Sequence, residues 1–138
     1  MLPADVEALI REEQARQGGA FIAEDVSLDE YLRKLGSRAE IAAHSEGGRC
    51  RGAVAFYCND AVGKTAFISL IVVDPRDRNR GLGEMLVGYV MATARKRGFE
   101  ACRLEVQRDN GPARALYASR GFTVVEQRGD RELLEVTL

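Results

Sequence analysis

The segment at residues 73–83 has the residue types and the spacing of a site for a bulky phosphorylated anion. It follows a run of apolar residues and opens a helix-like pattern, and the first N–H groups of a helix lack intrahelical partners and attract negative charge. Gly81 and Gly83 carry no Cβ, so an anion can approach the backbone closely. Arg76, Arg78 and Arg80 add positive charge. Together these features predict a diphosphate cradle.

Other interpretations of phosphate-binding glycines fit less well. A dinucleotide-binding fingerprint needs a third glycine, but Leu86 stands at that position. The run at residues 63–65, Gly-Lys-Thr, has the ending of a P-loop, but Cys58 replaces its first glycine and a strand pattern follows. The remaining alternative is an ordinary strand-to-helix turn with solvated arginines.

A second segment, at residues 104–122, narrows the interpretation of the first segment at residues 73–83. It has the pattern strand-Asn-x-x-Ala-x-x-Leu-Tyr-x-x-x-Gly-Phe, which begins at Asn110 and ends at Phe122. With Arg-x-x-Gly-x-Gly at residues 78–83, in this order and at this spacing, the chain closely resembles the GNAT superfamily of acetyl-CoA-dependent N-acetyltransferases. The resemblance covers roughly residue 40 to the C-terminus.

The resemblance implies a fold, a reaction and a set of contacts. The fold would be a mixed α/β domain over residues 1–138, with a splayed central sheet of about six to seven strands flanked by about four helices. The reaction would transfer an acetyl group from acetyl-CoA to a primary amine by direct attack in a ternary complex, without a metal. The implied acetyl-CoA contacts are Ile71, Val72, Val73, Arg78, Asn79, Arg80, Gly81, Leu82, Gly83, Asn110, Ala113 and Tyr117.

The resemblance also assigns roles. The backbone of residues 71–73 would pair with the pantetheine arm as an added strand, and an N–H freed near Ile71 by the splay would hold the oxyanion. Tyr117 would be the general acid, because a phenol of pKa ~10 can protonate a thiolate whose thiol has a pKa of ~8.5. From the residues alone, Tyr117 is equally an aromatic core residue on the face of Leu116, and Asn110 a helix cap.

Two features depart from the family pattern. Ser69 stands where many members carry a glutamate that deprotonates the amine, so we count it among the catalytic candidates by position only. Glu105, His44, Asp60 or an ordered water chain then remain as candidate bases. The family's first strand is also missing from the pattern, which leaves an edge that a second copy could cover, as in a homodimer.

The amine acceptor is open, with a small amine, an amino sugar and a peptide N-terminus as alternatives. Four acidic residues near the expected opening could attract an ammonium group or simply be solvated, namely Glu24, Asp25, Asp29 and Glu30. A non-catalytic acyl-CoA sensor with the same fold, or an enzyme for a longer acyl-CoA, would share the cofactor pattern.

The elements that must position these residues can be read from periodicity and from cap and turn residues. Helices are predicted at 3–16, at 27–36 with Gly36 as the stop, from Gly81 to Gly98, and at 110–119. The third helix should bury one face made of Leu82, Met85, Leu86, Tyr89, Val90 and Thr93. Strands are predicted at 41–44, 51–57, 66–73, 101–106, 123–127 and 133–138. This order predicts an antiparallel front and a βαβ crossover near the sheet centre.

Composition narrows the class of protein. The chain has 138 residues, 46% hydrophobic and 30% charged, with a formal net charge of -1, which gives no reason to expect nucleic acid or an anionic membrane as partner. The N-terminal residues lack the plan of a signal peptide. Cys50, Cys58 and Cys102 form no CxxC pair and predict free thiols in a reducing cytoplasm. With His44 as its one histidine, the chain predicts no metal site.

Overall fold

A computed structural model describes residues 1–19, 21–22 and 27–138 and contains one six-stranded mixed sheet. The helices are α1 (Ala4–Arg16), α2 (Leu28–Arg38), α3 (Leu82–Lys96) and α4 (Gly111–Ser119), and a 3-10 turn covers Pro75–Asp77. The strands are β1 (Glu40–Glu46), β2 (Arg49–Tyr57), β3 (Thr65–Val73), β4 (Ala101–Gln107), β5 (Thr123–Arg128) and β6 (Arg131–Thr137). Their spatial order is β1-β2-β3-β4-β6-β5.

The predicted element order and the mixed sheet are confirmed. Strands β1 to β3 are antiparallel, β3 and β4 are parallel across the α3 crossover, and β4, β6 and β5 are again antiparallel. Cap residues act as predicted, because Ser27 accepts from Glu30 N and Asn110 from Ala113 N. The β1–β2 turn places Gly47 and Gly48 at φ 62° and 76°, which suits glycine.

The prediction that Gly36 ends the second helix is wrong. Helix α2 continues through Gly36 to Arg38. A Cβ at Gly36 would lie 2.9 Å from the backbone nitrogen of Leu2. Glycine is therefore needed here for the close approach of the N-terminal segment, and it weakens the helix without ending it.

The predicted buried face of α3 is wrong in part. Leu86 and Val90 are buried as predicted, but Met85 and Tyr89 are 53% and 52% exposed. The buried stripe of α3 is Leu86, Val87, Val90, Met91 and Ala94. Tyr89 instead lays its ring edge-to-face against Phe56, with centroids 6.2 Å apart, so half of its surface stays in solvent.

The core lies on both faces of the sheet. Helices α1 and α2 pack on one face of β2 and β3, and α3 and α4 pack on the other face from β2 to β6. On β3, Ile68 belongs to the α3 side whereas Leu70 belongs to the α1 side, although they are two residues apart. The β2–β3 register shifts at this point, with Phe56 opposite Ile68 and Ala55 opposite Leu70. Ser69 is therefore the extra residue of a β-bulge that exchanges the two faces of the strand.

The sheet splays beyond this bulge. Strand β3 pairs with β4 only from Thr65↔Ala101 to Ile68↔Leu104. The rest of β4 continues to pair with β6, up to Gln107↔Arg131. Because the two central strands diverge after Ile68, the end of β3 keeps its β2 partner and faces an opening on its other side.

Three further observations concern the class of protein. No helix in the described parts of the chain is long and apolar enough to cross a membrane. Cys50, Cys58 and Cys102 are all buried and free of disulfides. Within the described ranges, no group of three or more His, Cys, Asp or Glu side chains is arranged to hold a metal ion.

Candidate active site

Two adjoining cavities form a continuous groove along the splay. One lies between the end of β3, the start of α3 and α4, and the other extends over β4 beneath α1 and α2. Both are lined by Ile71 of β3 and by Asn110, Ala113 and Tyr117 at the start and inner face of α4. Gln17 and Phe21 line both cavities as well. These six residues mark the junction, where one bound molecule could occupy both cavities.

The start of α3 is built to receive an anion. Asn79 and Gly81 have φ values of 63° and 77°, a left-handed conformation that asparagine and glycine adopt most easily. Gly81 is the N-cap and offers no side-chain cap bond, so the first N–H groups of the 15-residue helix stay available. Of the residues predicted for a diphosphate site, Arg78, Asn79, Gly81, Leu82 and Gly83 line the adjacent cavity, whereas Arg80 does not.

The three arginines of this loop differ in their partners. Arg76 is held by Asp74, with Nη2 2.8 Å from Oδ2, and Arg78 by Glu13 of α1, with Nη2 2.9 Å from Oε1. Arg80 is exposed and forms no ion pair with the described residues. Of the three arginines predicted to add positive charge, Arg76 and Arg78 thus form ion pairs within the protein, whereas Arg80 has no described acidic partner.

Glu13 was missed by the sequence analysis and connects α1 to the loop. It is only 5% exposed and accepts hydrogen bonds from Arg16, Gln17 and Arg78. Burial alone would raise the pKa of Glu13, but the hydrogen bonds from Gln17 and Arg16 and the charge of Arg78 lower it. Its signal in the sequence is weak, since a glutamate within an amphipathic helix is usually solvated.

The backbone of residues 71–73 forms the opposite wall. Val54, Ala53 and Gly52 of β2 are the partners of Ile71, Val72 and Val73, in that order. The other edge of this stretch faces the opening, where β4 has diverged. An extended amide chain can add to such an edge as a further strand.

Tyr117 lies at the centre of the groove. It is 9% exposed, its ring lies edge-to-face on Phe122 with centroids 6.0 Å apart, and burial raises its pKa to about 12. The phenol is therefore protonated over the whole physiological range. Asn110 next to it uses its Oδ1 to cap α4, accepting from Ala113 N at 3.2 Å.

The candidate bases lie in very different places. Glu105 lines the cavity over β4, but its Oε1 accepts a hydrogen bond from Arg128 at 2.9 Å. His44 is exposed on the edge strand β1, and the Asp60 carboxylate accepts from Gly63 N in the β2–β3 turn. Neither His44 nor Asp60 lines the groove, so of the predicted side chains only Glu105 reaches it.

Ser69 has a partner that the sequence did not reveal. Its Oγ lies 2.7 Å from the Oη of Tyr31 on α2, and both residues line the cavity over β4. Burial raises the pKa of Tyr31, while the hydrogen bond with Ser69 opposes that effect. Tyr31 could have been suspected from its position on the inner face of α2, one turn before Leu35.

Of the four acidic residues predicted near the opening, Asp29 and Glu30 lie in the described part of the chain. Asp29 forms an ion pair with Arg11 at 2.8 Å, and Glu30 lines a neighbouring groove to which Tyr31 and Ser69 also belong. Glu24 and Asp25 lie outside the described residues. A cationic guanidinium, Arg131 of β6, lines the cavity instead.

Comparison with known proteins agrees with this geometry. The model of the Acetyltransferase (GNAT) family matches residues 7–122. A mycothiol acetyltransferase of Beutenbergia cavernae is 41% identical over 61 residues, which are 44% of this chain and 20% of that protein. A ribosomal protein bS18-alanine N-acetyltransferase of Salmonella typhimurium is 40% identical over 68 residues, which are 49% of this chain and 46% of that protein. The matched stretch thus spans less than half of either curated relative.

The same fold occurs in solved structures. The PaiA N-acetyltransferase of Thermoplasma acidophilum, in complex with coenzyme A, has a TM-score of 0.67 to this chain at 18% identity. The match covers 100% of this chain and 81% of that one. At this level of identity the likeness is one of fold.

Proposed function

Because the chain belongs to the Acetyltransferase (GNAT) family, we propose that it transfers an acetyl group from acetyl-CoA to a primary amine. The observation that carries this proposal is the junction of the groove. There the free edge of β3 at Ile71 and the buried phenol of Tyr117 line both cavities, and the open start of α3 lies at one end. A diphosphate, an extended amide arm and a thioester can thus be held in sequence along one path.

The groove fits the parts of acetyl-CoA. The N–H groups at the start of α3 suit the diphosphate, and the absence of a side chain at Gly83 keeps that approach open. The exposed Arg80 adds positive charge beside the cavity. The edge of residues 71–73 suits the two amides of the pantetheine arm. The thioester would then lie at the junction, near Ile71 and Tyr117.

The residues at the junction support direct attack by the amine. The amine nitrogen bonds to the thioester carbon, and an N–H near Ile71 stabilises the oxyanion that forms. The carbon–sulfur bond then breaks and the thiolate takes the proton of Tyr117. The proton lost by the amine passes to Glu105 or to water, because Ser69 is no base near neutral pH.

Two rival functions use the same cofactor site. A non-catalytic acyl-CoA sensor is favoured by the replacement of the family's usual glutamate with Ser69, whereas the retained, buried Tyr117 favours an enzyme. A transferase for a longer acyl-CoA would differ only in the acyl pocket.

Thiol release separates these functions. The protein is mixed with acetyl-CoA and small amines, amino sugars or peptides, and free CoA is measured with a thiol reagent. We expect amine-dependent release that rises between about pH 6 and 8.5, because only the neutral amine is nucleophilic. Tight acetyl-CoA binding without release of CoA in the presence of any of these amines would indicate a sensor. Faster release of CoA from longer acyl-CoAs than from acetyl-CoA would indicate that the donor is a longer acyl-CoA.

We also propose a reducing, cytoplasmic setting and a homodimer as working hypotheses. The buried free thiols of Cys50, Cys58 and Cys102 support the first. The edge position of β1 supports the second, since a strand edge can pair with another chain. Light scattering coupled to size exclusion tests the dimer.

A further inference from the structure

The cavity over β4, which would receive the amine acceptor, contains a charged side chain that no described residue neutralises. Glu105 and Arg131 are the charged residues that line this cavity among the described residues. Glu105 forms an ion pair with Arg128, which it shares with Glu126. Among the described residues that line this cavity, Arg131 is the charged side chain without an ion-pair partner.

Arg131 is partly buried and forms no ion pair within the described ranges. The carboxylate of the next residue, Glu132, is engaged elsewhere, because it contacts Arg114 and Gln127. Arg131 follows the β5–β6 turn and lies opposite Gln107 at the end of β4, so two strands fix its backbone. Its charge also acts on Tyr31 across the cavity. A guanidinium that is partly removed from water, positioned by a sheet and lacking a carboxylate is suited to bind an anion.

Resting on the proposed acetyltransferase function, we infer that the acceptor is an amine with an oxyanion close to it, and that Arg131 binds this oxyanion. A carboxylate or a phosphate would serve, because both accept two parallel hydrogen bonds from a guanidinium. Phe21 and Phe67 line the same cavity, which favours an acceptor with an apolar side chain. An α-amino acid carries the amine, the carboxylate and the apolar side chain on one carbon.

The positive charge of Arg131 also favours the reactive state of the acceptor. A cation near the bound amine disfavours the ammonium form and so increases the fraction of neutral amine. A simple amine would bind near this unpaired guanidinium without a contact that offsets the repulsion. The acceptor's oxyanion removes this conflict by pairing with Arg131.

The first test compares acceptors in matched pairs. L-alanine, L-leucine and L-phenylalanine are each compared with their carboxamides, and 2-aminoethyl phosphate with ethanolamine. The carboxamides have the less basic amines, so intrinsic reactivity at neutral pH favours them. We expect the wild type to reverse that order, with kcat/KM higher by roughly 10- to 100-fold for the acid or the phosphate. The pair with the larger ratio identifies the oxyanion as carboxylate or phosphate.

Variants then assign the preference to Arg131. R131Q should abolish the preference, R131K should retain part of it, and both should bind acetyl-CoA as the wild type does. R95Q is the matched control, because Arg95 is exposed near the far end of α3 and lines neither cavity. An equal preference in the wild type and R131Q, or a wild type that uses amides as well as acids, would overturn the inference.

A binding measurement separates this inference from the proposed function. N-acetyl-L-leucine and its carboxamide are titrated into the CoA-bound protein by calorimetry. Tighter binding of the acid, lost in R131Q, supports the oxyanion site even if no amine is acetylated. Acetylation without this difference overturns the oxyanion site alone, and absence of both acetylation and binding overturns both proposals.

Discussion

At the scale of single residues, the environment of Tyr117 suits a general acid that must keep its proton until the thiolate departs. Burial raises its pKa to about 12, so the phenol keeps its proton at every pH at which the protein is expected to work. The same burial makes it a weaker acid toward water. A thiolate that forms beside it, equally removed from water, would accept the proton readily because its charge is also desolvated.

Tyr117→Phe should keep the fold and slow turnover. The ring would still contact Phe122, so packing changes little. Loss of the proton donor should lower kcat about 10- to 100-fold, the lower part of the usual range for general acid catalysis, because a thiolate leaves without full protonation. Steady-state rates and acetyl-CoA titration by calorimetry measure the two effects. Wild-type kcat where chemistry limits the rate would return Tyr117 to a purely structural role.

At the scale of elements, the approach of α3 to α4 depends on Gly83. A Cβ there would lie 3.1 Å from Cδ2 of Leu116, so even a methyl group requires a small shift of the Leu116 side chain. The groove between these helix starts holds the proposed diphosphate site. A side chain longer than a methyl group at Gly83 would narrow this groove.

Gly83→Glu should abolish measurable CoA binding, and Gly83→Gln should weaken it less. Both add similar bulk, but only glutamate places a negative charge against the diphosphate and the helix N-terminus. The difference between their dissociation constants, measured by calorimetry at low and high salt, reports the electrostatic part. That difference should shrink as salt screens it. Equal affinities of both variants and the wild type would remove the loop from the site.

Two glycines inside helices differ in whether the structure has room for a side chain. Gly88 in α3 has room for a Cβ, whose nearest neighbour would be Nη2 of Arg120 at 3.5 Å, whereas a Cβ at Gly36 would meet the backbone nitrogen of Leu2 at 2.9 Å. Gly88→Ala should raise the free energy of unfolding by ~0.5–1 kcal/mol through helix propensity. Gly36→Ala should lower it, despite the same propensity gain. Urea denaturation checks both signs, and stabilisation by Gly36→Ala would contradict the close approach.

Much of the architecture could be predicted because the local signals are strong. Caps such as Ser27 and Asn110 and the turn at Gly47 set element limits through their own backbone chemistry. The predicted end of α2 at Gly36 is wrong because glycine is favoured both at helix ends and where two backbones pack closely. The ion pairs of Arg78 with Glu13 and of Glu105 with Arg128, and the contact of Ser69 with Tyr31, join distant segments, so no local pattern reveals them.

At the scale of the whole molecule, two buried carboxylates tie the phosphate loop to the first hairpin. Asp74 and Asp77 are 2% and 4% exposed. Arg49 of β2 contacts both, and Arg76 contacts Asp74 through its backbone N–H and its guanidinium. Burial without these partners would be costly, so the position of the loop depends on the charge of the two carboxylates.

This cluster predicts an acid-sensitive stability that Asp74→Asn should reduce. Hydrogen bonds from Arg76 hold the pKa of Asp74 well below its ordinary value, which the unfolded chain has at ~3.9. A depressed pKa contributes stability that is complete above the unfolded value and is lost as pH falls below it. The wild type should therefore lose unfolding free energy steeply between about pH 5 and 2.

Asp74→Asn should be less stable at pH 7 and should lose less on acidification. Urea denaturation at pH 7, 5 and 3 measures both, with Asp109→Asn, at an exposed carboxylate, as control. Parallel pH profiles for Asp74→Asn and the wild type would show that the loop does not depend on this charge.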